Sequence, residues 1–212
     1  GGKMKKILVI LGHPRSDSLS HALGRAYAGG ASQTAEVRIV ELCQLEFALT
    51  YPTRTAYDNK VQGTLEPDLQ KAQADLHWAD HLVFAYPQWW GGVPALLKGF
   101  IERVFLPGFA FKYRKDSPWQ DPLLKGKTAR LLVTMDAPGW YNRWVYRNAV
   151  HTAMLYPTLH FCGIKPVRIT EFNLVRRATP VVIQKWMNQT RQLGRREAAQ
   201  GHPTALWSRK AV

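Results

Sequence analysis

Lys6-Ile-Leu-Val-Ile-Leu11 is a strand-length run with a single polar residue, and it breaks into Gly12-His13-Pro14-Arg15-Ser16-Asp17-Ser18-Leu19-Ser20 where a helix-length segment opens. A continuous apolar run followed at once by a polar loop and a helix start is the pattern of a strand covered on both faces in a parallel sheet. The same reading repeats along the chain. His81-Leu-Val-Phe-Ala-Tyr86 and Ala129-Arg-Leu-Leu-Val-Thr134 are nearly as apolar, while Val37-Arg-Ile-Val-Glu-Leu42 and Lys165-Pro-Val-Arg-Ile-Thr170 are more mixed.

Helix-length segments fill the intervals: Ser18 to Gly29, Pro67 to Trp78, Pro94 to Phe105, Arg143 to Phe161 and Pro180 to Arg196. Ser18 or Ser20 can cap the first of these, Pro67 and Pro94 suit a first helical turn, and Gly163 follows the fourth as a terminating glycine. Five strands alternating with five helices predict a doubly wound, three-layer α/β domain, and crossover handedness leaves few strand orders. Order 2-1-3-4-5 would place the ends of strands 1 and 3 beside a topological switch point, where open α/β sheets bind ligands. The expected domain is single and spans residues 5–200, with tails at 1–4 and 201–212. The connections from Ala48 to Glu66 and from Leu106 to Lys127 exceed the usual loop length and are candidates for function. Gly1 and Gly2 ahead of Met4 read as an expression remnant.

A chain of 212 residues can bury a substantial core. Its longest apolar runs are far short of a membrane span, and Ile7–Leu11 is too short for a secretory signal. A soluble, cytoplasmic protein is expected. Cys43 and Cys162 are distant and show no CxxC spacing, which predicts buried free thiols and no metal site. The net charge of +14 is uneven: residues 107–212 carry 18 basic and 5 acidic groups. Such a surplus suits an anionic partner or a plain solvated face. No nucleic-acid-binding signature accompanies it, and the aromatics cluster at one strand end, so nucleic acid is not an expected partner.

Two loops carry chemistry. The loop after strand 1 opens a helix whose N-terminal N–H groups and dipole, with the hydroxyls of Ser16, Ser18 and Ser20, suit a phosphate. It has neither the glycines of GxGxxG nor a P-loop lysine, and its serines could equally serve as ordinary caps. After strand 3 comes Tyr86-Pro87-Gln88-Trp89-Trp90-Gly91-Gly92-Val93-Pro94. Three aromatics and an amide at a buried strand's end call for a flat, partly apolar cover. An isoalloxazine ring meets that description, and so does a neighbouring subunit.

Tyr86-Pro87-x-Trp-Trp-Gly-Gly-Val-Pro-Ala-Leu-Leu-Lys-Gly-Phe-Ile-Glu-Arg-Val-Phe105, with Phe109-Ala-Phe-Lys-Tyr113, Leu11-Gly-His-Pro-Arg-Ser and Leu159-His-Phe-Cys-Gly163, resembles the NAD(P)H:quinone oxidoreductase group of flavodoxin-like flavoproteins. The resemblance covers most of residues 5–195. It implies that His13, Ser16, Ser18, Leu19 and Ser20 bind the flavin phosphate, and that Pro87, Gln88, Trp89, Trp90 and Gly91 hold the ring. It also implies that Phe111 and Tyr113 line an acceptor pocket reached from the other subunit of a homodimer. After strand 4 the chain departs from the group's Thr-Thr-Gly-Gly, carrying Thr134-Met-Asp-Ala-Pro-Gly-Trp-Tyr141. Thr134 and Tyr141 are retained as cofactor-site residues, Asp136 has no assigned role, and Tyr141 and His151 are the candidates for a catalytic side chain.

The activity so implied is two-electron reduction of a quinone-like acceptor by hydride transfer from NADH or NADPH through a bound flavin. The chain's short extensions relative to FAD-binding members favour FMN, with FAD as the alternative. A different implied role is that of an ancillary subunit docking on a potassium-efflux transporter in a membrane.

Overall fold

The computed structural model describes residues 4–50 and 65–200. The central part of the Ala48–Glu66 connection and the segment beyond Gln200 lie outside the described residues.

Five strands form one parallel sheet: β1 (Lys6–Leu11), β2 (Glu36–Glu41), β3 (His81–Pro87), β6 (Thr128–Thr134) and β7 (Val167–Phe172), in the order β2-β1-β3-β6-β7. The gap in numbering comes from β4 (Phe111–Tyr113) and β5 (Gln120–Pro122), a short antiparallel hairpin. The sequence pattern predicts a loop here and five strands in all, whereas the described residues hold seven, five of them in the parallel sheet. Three-residue strands leave no apolar alternation to detect, and Lys112, Asp121 and Gln120 give no strand signal.

The sheet's alternation explains its two cores. Ile7, Val9 and Leu11 of β1 face one side, where Leu23, Tyr27 and Ala31 of α1 (Leu19–Ala31) meet Ala198 of α6 (Pro180–Ala199). Leu8 and Ile10 face the other, against Leu69 and Leu76 of α2 (Pro67–Trp78) and Leu97 and Phe100 of α3 (Ala95–Val104). Helices α1 and α6 approach closely because two glycines meet there. A Cβ on Gly30 would lie 1.9 Å from the Arg191 carbonyl oxygen, and one on Gly194 would lie 2.1 Å from that of Tyr27.

Start signals were largely legible. The Ser18 hydroxyl accepts from the His21 N–H and Thr179 accepts from Val182, so both residues cap their helices. Pro67 is the first helical residue, whereas Pro94 precedes α3 as its cap.

The expected helix from Arg143 to Phe161 is not continuous. It is divided into α4 (Gly139–Trp144), α5 (Ala149–Met154) and a π-turn at Leu155–His160. The break falls at Arg147 and Asn148, with φ of 51° and 52°. Left-handed backbone cannot continue a right-handed helix, and a hydrophobic period read across 19 residues does not register so local a reversal.

Candidate functional site

Helix α1 leaves the end of β1 on one face of the sheet, and α3 leaves the neighbouring β3 on the other. Their divergence opens a crevice at the C-terminal strand ends, as the topology requires. Next to that crevice, at the ends of β3 and β6, a groove of about 560 Å³ is lined by Gln88, Trp89, Trp90 and Gly91 after β3, and by Met135, Asp136 and Ala137 after β6. Tyr146, Ala149 and Arg176 complete it.

The β3 side is a tight reversal. Trp89 and Gly92 exchange backbone hydrogen bonds of 3.0 and 2.9 Å, and Trp90 and Gly91 at the tip have φ of 50° and 71°. Positive φ at both central positions is the type I′ pattern, natural for Gly91 and strained for a tryptophan. The consequence is a Trp90 ring held wholly in solvent. Behind it Gln88 donates its backbone N–H to the Thr134 carbonyl at 2.8 Å, while its buried side-chain Oε1 has no hydrogen-bond partner.

The β1 side is built around His13. Its ring stands edge-on to Trp89 at 5.1 Å, and its Nδ1 accepts from the Arg15 N–H at 2.9 Å. That bond places the imidazole proton on Nε2. Burial, followed by the nearby Arg15 guanidinium, holds the His13 pKa below its ordinary value, so the ring is neutral at pH 7. Ser16 is exposed, Ser18 is occupied as the cap, and Leu19 opens α1 with a first-turn N–H that has no intrahelical acceptor. Ser20 is buried and shares a 2.9 Å hydrogen bond with the Thr134 hydroxyl, tying α1 to β6.

Asp136, unassigned from sequence, is turned onto the connection before α6. It accepts from the Arg176 backbone N–H and pairs with the Arg176 Nε, each at 2.9 Å. The pair fixes a basic residue on the groove's rim that the sequence reading missed. The only signal for Arg176 was a pair of arginines ahead of a helix, which is common on any surface.

Tyr141 and His151 do not line the groove. Tyr141 packs its ring on Tyr146 at 4.9 Å, and Tyr146 takes the lining position. His151 faces β7, where Nε2 lies 2.5 Å from Glu171, which also accepts from Asn142 at 3.0 Å. The reversal at Arg147 and Asn148 turns α5 so that this histidine stands beside Glu171. Phe111 is buried against Phe161 at 4.9 Å, whereas Tyr113 on the same hairpin is exposed. Neither lines the groove of its own chain.

No helix among the described residues is long and apolar enough to cross a membrane. Among curated proteins the chain is 31% identical over 187 residues to ribosyldihydronicotinamide dehydrogenase [quinone] of Pongo abelii, covering 76% of this chain and 78% of the relative. It is 29% identical over 187 residues to NAD(P)H dehydrogenase [quinone] 1 of Cavia porcellus, covering 76% and 66%. A ribosyldihydronicotinamide dehydrogenase-like protein of Penicillium crustosum matches at 30% over 164 residues, covering 67% and 61%. The chain thus spans less than two thirds of the length of two of these three relatives. None of these names is that of a transporter subunit, and the docking alternative finds no support in them.

Among solved structures, Smu.1420 from Streptococcus mutans UA159 superposes with a TM-score of 0.79 at 28% identity, covering 90% of this chain and 99% of that one. An FMN-dependent NADH-azoreductase from Bacillus anthracis, solved in complex with FMN, shares the fold with a TM-score of 0.71 at 17% identity, covering 92% and 100%. A family model described as "Flavodoxin-like fold" matches residues 5–193, and with the doubly wound five-stranded sheet this establishes that the chain belongs to the flavodoxin-like family.

Proposed function

We propose that the chain is a flavin-dependent NAD(P)H oxidoreductase that reduces quinone-like acceptors by two electrons. The observation that carries this reading is the groove at the ends of β3 and β6, with a tryptophan turn on one wall and a buried, unpartnered glutamine oxygen at its base. A native buried acceptor without a partner calls for an external donor. A flat heteroaromatic ring carrying N–H groups at one edge supplies that donor and covers the exposed indoles. The residues present therefore fit a flavin.

The chain's own groups divide the work. Ser16, Ser18, Leu19 and Ser20, with the first-turn N–H groups of α1, would hold the phosphate, and the His13 Nε2–H adds a neutral donor. Pro87, Gln88, Trp89, Trp90 and Gly91 would hold and wall the ring. Thr134, fixed by Ser20, sets the strand end beneath it, and Tyr141 supports Tyr146 from behind. When bound, the flavin supplies the hard chemistry, taking hydride from NADH or NADPH and passing two electrons to the acceptor. Because no side chain is a reagent in that transfer, the protein's part is to orient, to exclude water and to present Arg176 to an anionic co-substrate.

FMN suits the phosphate loop, and the FMN complex of a protein with the same fold supports it over FAD. The exposed aromatics Trp140, Trp144 and Tyr156, together with Tyr113, suit a homodimer in which Tyr113, backed by the buried Phe111 at 5.2 Å, roofs the partner's groove. A cytoplasmic setting and a single domain over residues 5–200 belong to the same reading.

The test is to purify the protein, release any bound chromophore by heat, identify it by chromatography, and assay NADPH and NADH oxidation with a benzoquinone. FMN at about one per chain and quinone-dependent oxidation are expected. Failure of the protein to bind FMN or FAD on reconstitution would overturn the reading.

A further inference from the structure

His21 lies in the first turn of α1 with no exposed surface. Its Nε2 is 3.0 Å from the His13 carbonyl oxygen, which can only accept, so Nε2 carries the ring hydrogen and Nδ1 presents a bare lone pair. That buried Nδ1 has no hydrogen-bond partner. It is aimed at the end of β2, where the Glu41 Oε2 lies 3.8 Å away. The Cys43 sulfur lies two residues further on, and the three potential ligand atoms all fall within 4.8 Å of one another.

Two electron-rich atoms facing each other across 3.8 Å, one on a fully buried ring and one on a partly exposed carboxylate, repel unless a positive charge lies between them. The other groups facing the cluster are Arg25, which binds the far Glu41 oxygen at 2.8 Å, and Gln44, whose Nε2 lies 3.8 Å from the Cys43 sulfur. Arg25 orients the carboxylate and leaves Oε2 free to face His21. The His21 Nε2–H···O=C bond is the outer bond that metal-ligating histidines characteristically make.

We propose that His21 Nδ1, Glu41 Oε2 and Cys43 Sγ form a site for a divalent transition metal of the zinc type. One nitrogen, one oxygen and one sulfur are the donors zinc prefers, and a fourth, tetrahedral position would open to solvent on the partly exposed Glu41 and Cys43 side. Bond lengths of about 2.0–2.3 Å require the three side chains to close by about 1 Å. The Cys43 thiol binds as thiolate, releasing its proton to solvent. Bound metal would join α1 to the end of β2 and, through the His13 carbonyl, steady the Gly12–Ser18 loop.

The experiment titrates the full-length protein, stripped of metal and flavin, with Co²⁺ and with Zn²⁺. One metal per chain is expected, with a sulfur-to-cobalt charge-transfer band and the strong visible absorption of four-coordinate cobalt. Glu41 and Cys43 are partly exposed, so Cys43→Ser and Glu41→Gln should fold. Each should weaken Zn²⁺ binding by at least about tenfold, and Cys43→Ser should also abolish the charge-transfer band. Zn²⁺ should raise the thermal midpoint of the parent protein and leave that of Cys43→Ser unmoved. Cobalt binding without a sulfur band, unchanged affinity in either variant, or no binding at all would overturn the proposal. Because flavin is absent from the measurement, these outcomes are independent of the proposed redox activity.

Discussion

The two ends of the parallel sheet solve opposite problems. At the N-terminal end, polar groups are drawn into one closed cluster around Glu197. Its carboxylate accepts from the Tyr27 hydroxyl at 2.7 Å and from Arg130, and the His81 Nε2 lies 3.4 Å away. Lys5 caps the Glu197 carbonyl at 2.7 Å. The hollow beside the cluster is only about 50 Å³, room for a water and no ligand. At the C-terminal end the pattern is reversed. Indoles stand in solvent, a tryptophan holds left-handed backbone, and the buried acceptors Gln88 Oε1 and His21 Nδ1 have no hydrogen-bond partner. Apart from His81 Nε2, which makes no hydrogen bond, the closed end has its polar groups met from within, and the other end leaves its own for something that arrives.

The sharpest way to break this contrast is to remove a partner at the closed end. Glu197→Gln leaves the Arg130 guanidinium buried without its counter-charge and should cost about 3–5 kcal/mol in urea unfolding, with the flavin content of the folded protein unchanged. An equal loss of flavin would show that the two ends are not independent.

Acid probes the same cluster. Burial works against the Glu197 charge, but His81 and Arg130 hold its carboxyl well below the ordinary value of 4.5. Its contribution is therefore complete above that value and lost as pH falls beneath it. Burial keeps the His81 pKa below 6.5, so the unfolded chain takes up a proton that the native one refuses as pH falls through that range. Stability should decline from about pH 6.5 and steepen below about pH 4.5. Urea midpoints across pH would show both limbs, and Glu197→Gln should lose the steeper one.

A smaller effect is expected where α1 meets α6. Gly194→Ala improves helix propensity but drives a methyl group into the Tyr27 carbonyl, and the overpacking should cost about 1–3 kcal/mol by thermal or chemical denaturation. The smallest effect belongs to the open end and has the opposite sign. Trp90→Gly relieves left-handed strain and should raise stability by up to about 1 kcal/mol. The same change should weaken FMN binding by about two- to tenfold in a fluorescence titration, the value of one aromatic wall. Loss of stability in Trp90→Gly would mean that the turn serves the fold and not a ligand.

Much of this organisation could be read without coordinates. Lys6–Leu11, His81–Tyr86 and Ala129–Thr134 announced central strands because a strand buried on both faces needs no alternation. The phosphate loop and the tryptophan turn were visible because polar residues at a helix start and aromatics at a strand end are local features. The β4–β5 hairpin was missed because it has too few residues for a period. The division of the fourth helix was missed because the left-handed reversal at Arg147 and Asn148 spans two residues and leaves no trace in a hydrophobic period.

What the sequence determined by itself was therefore the alternation of buried strands and helices, the switch-point crevice that follows from it, and the two loops that border the crevice. Hydrophobic period and turn chemistry act over a few residues, so the chain states them directly. Tertiary structure alone decided that Arg130 in a central strand meets Glu197 67 residues later, that Asp136 grips Arg176, and that Tyr146 displaces Tyr141 from the groove. It also brought His21, Glu41 and Cys43 together across two elements. Pairings of that kind depend on which helix crosses which strand and at what register, information that is spread over the whole fold and absent from any one stretch of it.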